Sequence, residues 1–185
     1  ADREDERMYV EKMMPNVTVA MKESLRDNSL IGELDLSHPG TKDRIIKSKH
    51  RPNIINKMMM ERVNNLFKEG IINGEQMLIL DKEIKGFTDI IGACERIKTT
   101  PIPYSYSMFI KKFLFVYSIT LPLAFIGEFG YYSIGLVVLA FYLLMSVEII
   151  EEEIEDPFGK DINDLPLDIL CGKIKKNVIE IFNSN

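Results

Sequence analysis

No tryptophan occurs in this 185-residue sequence, and cysteine and histidine occur twice each. Cys94 and Cys171 are far apart and form no Cys-x-x-Cys pair, so no disulfide framework is implied and reduced thiols in a cytosolic setting are expected. His38 and His50 lie in a polar stretch without metal-ligand spacing, which argues against a zinc site there. A basic stripe with interleaved aromatics is also lacking, and the net charge is −5, so nothing points to nucleic acid as a partner. The sequence opens at Ala1 rather than Met and runs into Asp2-Arg3-Glu4-Asp5-Glu6-Arg7, which does not read as a signal peptide; an N-terminal part is expected to be missing.

The most informative absence is a local one. From Phe113 to Val147 the one charged residue is Glu128, although charged residues make up 28% of the chain. Soluble domains scatter charge through every amphipathic element, so this segregation argues for a membrane-inserted helical hairpin. The two apolar runs, 113–127 and 129–147, compare with the ~20 residues that cross a bilayer. The first lengthens if Tyr104 to Ile110 are included, with Lys111 and Lys112 snorkelling. Pro122 is tolerable in a membrane helix, Gly127-Glu128-Phe129-Gly130 supplies a turn, and Tyr131 and Tyr132 suit an interface. Lys111 and Lys112 mark a cytosolic end, and one turn between two spans puts both hairpin ends on that side of the cell membrane. The competing reading is a buried hairpin inside a large soluble bundle.

What flanks the hairpin reads as helix. Residues Glu4 to Leu30 carry Val10, Met14, Val17, Met21 and Leu25 at helical spacing, with Pro15 making two shorter pieces possible. Ser37 to Pro52 reads as a loop. A helix over about 53–69 presents Ile54, Ile55, Met58, Met59, Val63 and Leu66. Asn73 with Gln76 three residues on is a capping box for a helix reaching about Lys98, with Leu80, Ile84, Phe87, Ile91 and Cys94 on one face. Pro101-Ile102-Pro103 interrupts the helical run and holds the backbone extended. After Val147 come Glu148, Glu151, Glu152, Glu153, Glu155 and Asp156, a run expected to be a solvated helix face. Pro157-Phe158-Gly159 stops that helix, an oxygen-rich loop over 160–164 follows, and a last helix turns Leu170, Ile174, Val178 and Ile181 inward. The expected architecture is all-α: a helical membrane protein with a transmembrane helical hairpin and a cytosolic helical bundle. Its parts are a cytosolic helical region (1–98), a Pro-rich segment with the helix entry (99–112), the hairpin (113–147) and acidic cytosolic C-terminal helices (148–185).

Three stretches are more specific than patterning. They are Gly92-Ala93-Cys94-Glu95-Arg96-Ile97-Lys98-Thr99-Thr100-Pro101-Ile102-Pro103-Tyr104-Ser105-Tyr106-Ser107, Glu151-Glu152-Glu153-Ile154-Glu155-Asp156-Pro157-Phe158-Gly159, and Asn163-Asp164-Leu165-Pro166-Leu167-Asp168. In this order and spacing the chain resembles the bestrophin family of ion channels, in particular its bacterial branch. The resemblance implies a homopentameric channel with one pore on the five-fold axis, made of identical subunits in membrane lipid. It implies four membrane helices per subunit, so that this chain corresponds to the C-terminal portion of a longer subunit. By the resemblance, Ile102, held between Pro101 and Pro103, forms the cytosolic pore aperture. The loop after Gly159 matches the calcium clasp of animal members: Asp161 and Asp164 would bind the ion through side chains, with backbone oxygens near Glu153 and Asp156. The bland alternative is that Asp161 or Asp164 caps the last helix.

Three functions are thereby set against each other. The first is a channel subunit passing small inorganic ions, chloride or cations, with no catalytic residues and no other cofactor. The second is a non-conducting membrane-anchored scaffold. The third is a metal-dependent membrane enzyme using the Glu148 to Asp156 carboxylates, which lacks the facing histidines such sites commonly recruit.

Overall fold

A computed structural model describes residues 3–28, 32–100 and 103–184. Seven helices follow in order: α1 (Arg3–Leu25), α2 (Thr41–Lys47), α3 (Arg51–Lys68), α4 (Gly74–Thr99), α5 (Tyr104–Phe129), α6 (Tyr132–Glu155) and α7 (Leu167–Asn183). No strand occurs among the described residues. The chain divides into two compact units, Ala1–Ile97 with Pro166–Asn185, and Lys98–Leu165.

The first unit is a bundle. Tyr9, Met13, Val17 and Ala20 of α1 bury against Ile55, Met58 and Met59 of α3, Ile45 of α2, Ile91 of α4 and Cys171 of α7. The buried stripe of α1 is rotated in part from the expected one: Val10, Met14 and Met21 are partly buried at its flank, while Val17 and Leu25 are buried as expected. α1 runs uninterrupted through Pro15, and the Thr18 hydroxyl donates to the Pro15 carbonyl at 2.8 Å. The loop expected over Ser37 to Pro52 contains α2, whose Ile45 is completely buried. Seven residues are too few for a periodic signal, so only packing reveals this helix. α3 starts at Arg51 and takes Pro52 into its first turn, where no amide is needed. The capping box is present: the Gln76 amide donates to Asn73 Oδ1 at 2.8 Å, and the Asn73 amide donates to Gln76 Oε1 at 3.0 Å.

α7 belongs to this bundle and packs on α1. Its buried residues are Leu167, Cys171 and Val178; Leu170, Ile174 and Ile181, expected inward, are exposed to varying degrees. The helix is therefore turned, and its seam is set by the α1 surface it meets rather than by its largest aliphatic side chains. α4 is held differently. No Cα of α4 comes within 8 Å of α1 or α3, and Ile84, Phe87 and Ile91 bridge the gap.

The second unit is the α5–α6 hairpin followed by a loop. Its helices exceed the charge-free stretch at both ends, from Tyr104 and to Glu155, and the turn contracts to Gly130 and Tyr131. Gly130 sits at φ 52, the left-handed region where a side chain is disfavoured. α5 passes through Pro122 without a break. Two helical spans, one containing α5 and the other α6, are long and apolar enough to cross a membrane. Their apolar side chains point outward: Leu123 is 73% and Leu139 58% exposed. Exposure on that scale does not fit the buried core of a soluble bundle.

Candidate functional site

Pro101 and Ile102, the expected aperture, lie outside the described residues. Pro103 is the N-cap residue of α5, with φ −53 and ψ 125, and its carbonyl accepts the Tyr106 amide at 2.7 Å. Proline suits this place because its fixed φ leads directly into the helix.

One turn into α5 the hairpin mouth begins. The Ser107 hydroxyl donates to Glu151 Oε1 at 2.5 Å, and Lys111 Nζ lies 3.0 Å from Glu152 Oε1 and 3.5 Å from Glu148 Oε1. The acidic run is thus split by helical geometry. Glu148, Glu151 and Glu152 share one face of α6 at i, i+3 and i+4 and turn toward α5. Glu151 is buried, against the expectation of a solvated face. The charged ends of the two helices lie together, as a hairpin with both ends on one side requires.

Beyond α6, residues 156–165 form a tight loop. The Leu165 amide donates to the Pro157 carbonyl at 3.0 Å, and the Asn163 side-chain amide donates to Glu153 Oε2 at 2.7 Å. Asp164 Oδ2 accepts the Asp161 amide at 2.7 Å. Asp164 therefore ties the loop to itself; α7 begins after Pro166 with no side-chain cap. A Cβ built on Gly159 would lie 2.5 Å from Asp164 Oδ2 and 3.4 Å from Asp156 Oδ2, so this loop closes around a glycine. Among the described residues no group of three or more His, Cys, Asp and Glu side chains is arranged to hold a metal ion.

A second polar centre, absent from the sequence reading, sits in the bundle. Lys22 is 2% exposed, and its ammonium contacts Glu33 at 2.5 Å, Asp168 at 2.9 Å and Glu23 at 3.3 Å. Arg26 adds a 2.7 Å contact to Asp168. Burial works against the lysine charge, but the hydrogen bonds it donates to Glu33, Asp168 and Glu23 outweigh it and hold its pKa above the ordinary value. The Arg26 and Lys22 hydrogen bonds draw Asp168 down to about 2. Burial pushes the Cys171 thiol up, making it a poor nucleophile.

The histidines are structural as well. His50 caps α3, its Nδ1 accepting the Asn53 amide, which leaves the ring proton on Nε2 to donate to Glu95 at 2.5 Å. His38 meets the Tyr9 ring edge-on with centroids 4.8 Å apart.

A bundle of helices joined in sequence to an apolar hairpin with charged ends defines a helical membrane protein. Comparison with known proteins makes this specific. The family model for the bacterial and fungal bestrophin proteins matches residues 1–180, and the chain belongs to that family. Among its relatives is a voltage-dependent anion channel-forming protein of Nostoc sp., 39% identical over 111 residues that cover 60% of this chain and 36% of the relative. The voltage-dependent anion channel-forming protein YneE of Escherichia coli K12 is 30% identical over 138 residues, covering 75% of this chain and 45% of that one. The chain spans less than half the length of either relative. In structure it is similar to the crystal structure of a variant bacterial bestrophin homolog from Klebsiella pneumoniae. The TM-score is 0.91 at 25% identity, covering 97% of this chain and 68% of that one.

Proposed function

We propose that this chain is part of a subunit of a homopentameric ion channel in the cell membrane, passing small monovalent anions of the chloride class. The match of the bestrophin family model to residues 1–180 carries the reading, and relatives bearing the name of anion channel-forming proteins support the choice of ion. The outward apolar surface of α5 and α6 suits lipid and neighbouring copies, and a closed ring places the same pair of surfaces in contact five times. Lys111, with Glu148 and Glu152 beside it, supports a cytosolic position for both hairpin ends. Ile102 would then form a short apolar collar at the cytosolic exit, where an ion sheds water without compensation.

Ion flux through the complete purified subunit in liposomes tests this directly. Anion-selective flux from a particle of five subunits is expected; a monomer without flux would leave the membrane-anchored scaffold as the better account. Ile102→Ala should raise conductance or relax selectivity. Unchanged permeation with a clear loss of thermal stability would place Ile102 in the packed interior. Cysteines at Glu128 and Lys160 should label from opposite sides of the membrane. The Asp161 and Asp164 loop extends the proposal to a weak divalent-cation site, since two carboxylates supply few of the six to eight oxygens calcium takes. Calorimetric calcium binding abolished by Asp161→Ala is the result that would support it.

A further inference from the structure

α4 meets α1 and α3 through side chains alone, and the spacing leaves a cavity of about 140 Å³ among the three helices. Met14 of α1, Met59, Val63 and Leu66 of α3, and Leu80 and Phe87 of α4 line it. Met59 and Val63 belong to the buried core, whereas Leu80 is 37% exposed and stands at the rim. The surface presented to the cavity is almost wholly apolar. Water is poorly held in such a space, because it needs roughly two to four polar partners there.

The charged groups beside the cavity are engaged elsewhere. Arg62 donates through Nε to Glu6 Oε2 at 2.6 Å and through Nη2 to Glu6 Oε1, and its guanidinium lies 5.8 Å from the Tyr9 ring centroid. A bidentate pair of this kind is fixed in geometry and neutral in sum, so it does not attract an ion. Glu83, the other charged neighbour, is exposed to solvent. An ion or a polar ligand entering the cavity would shed its hydration and find no partner. The volume then sets the size. An apolar cavity of about 150 Å³ lined by aliphatic and aromatic side chains stays dry and takes up benzene. A fitting molecule restores the dispersion contacts that an empty space denies to the lining atoms. Met14, Met59 and Phe87 favour an aromatic ring over a saturated one, since thioether sulfur and ring edges both attract it.

We propose that the cavity among α1, α3 and α4 binds one small, uncharged aromatic molecule. Binding there does not depend on ion conduction. The test is calorimetric titration of the complete subunit in detergent with benzene, cyclohexane and 1,3,5-trimethylbenzene. Both comparison compounds are more hydrophobic than benzene, so partitioning into micelles or onto an open apolar surface would rank benzene last. A bounded site with this lining ranks it first. Saturable benzene binding at one site per subunit is expected, with cyclohexane at least about threefold weaker and the trimethyl compound at least about tenfold weaker. Leu80→Trp fills the cavity from its rim, at a side chain exposed enough for the change to spare folding. It should weaken benzene binding at least about tenfold. Benzene should also raise the melting temperature of the wild type and leave that of Leu80→Trp unchanged. Absence of saturable benzene binding, a comparison compound binding as tightly as benzene, or undiminished binding in Leu80→Trp would overturn the proposal. If Leu80→Trp does not fold, the ranking of the three compounds on the wild type decides the matter.

Discussion

In the bundle of α1, α2, α3 and α7, aliphatic side chains such as Met13, Ile45 and Ile55 are fully buried, and the one lysine at the centre, Lys22, is surrounded by carboxylates. In the α5–α6 hairpin the pattern is reversed. Leu123, Val138 and Leu139 face outward, and the polar contacts of Ser107, Lys111 and Glu151 gather at one end. The same residue types thus answer to two solvents. Water drives the bundle to hide its apolar groups, while hydrocarbon leaves apolar side chains free and demands only that backbone bonds close within the helix. Composition averaged over the chain conceals this contrast; its distribution along the chain reveals it.

The contrast can be broken most severely at Lys22. Lys22→Ala leaves Glu23 buried beside no cation and should cost about 3–5 kcal/mol in chemical unfolding of the bundle. Ile55→Ala removes a fully buried side chain and should cost about 2–5 kcal/mol in the same measurement. Leu139→Ala in the hairpin should leave unfolding of the bundle unchanged. Leu139→Arg sharpens the difference: a translocon insertion assay should show about 2.5–3.5 kcal/mol less favourable insertion of α6. Equal insertion of both sequences would contradict a lipid-facing position for this residue. Asn73→Ala should cost about 1 kcal/mol through loss of the α4 cap, read as a lower melting temperature.

The smallest effect is expected at the α1–α7 junction in acid. Asp168 is depressed from 3.8 to about 2 in the folded protein, so its contribution is complete above the ordinary carboxylate value. It fades as pH falls from about 4 toward about 2. Because Asp168 is largely exposed, screening keeps the contribution under about 1 kcal/mol. Asp168→Asn should flatten this part of the stability profile, measured at low salt; an unchanged profile would assign the acid sensitivity to other carboxylates.

The elements readable from sequence alone were those whose cause is local. Asn73 and Gln76 stand three residues apart, and the geometry of a first helical turn connects them with no outside help. The hairpin announced itself because a bilayer imposes its length and its lack of charge on consecutive residues. The family was legible too, since the runs at 92–107, 151–159 and 163–168 keep their order and spacing, and the match over residues 1–180 bears this out. The Pro157 break and a helix beyond it were equally plain.

Tertiary structure decided whatever depends on distant partners. Lys22 meets Glu33 eleven residues away and Asp168 146 residues away, and no window of sequence brings these groups together. Asn16 grips the backbone of Asp35 from both sides, donating to its carbonyl at 2.8 Å and accepting its amide at 2.9 Å. Neither residue advertises this in its own neighbourhood. The short helix α2 exists because Ile45 finds a cavity in the bundle, and α7 turns Cys171 inward because that face fits α1. Glu151 reads as one more exposed acid until α5 sets Ser107 against it. Periodicity and charge distribution specify which of the longer segments are helices and which solvent they face. The rotation of each helix, and the fate of each polar side chain, is fixed only when a second surface arrives to desolvate it.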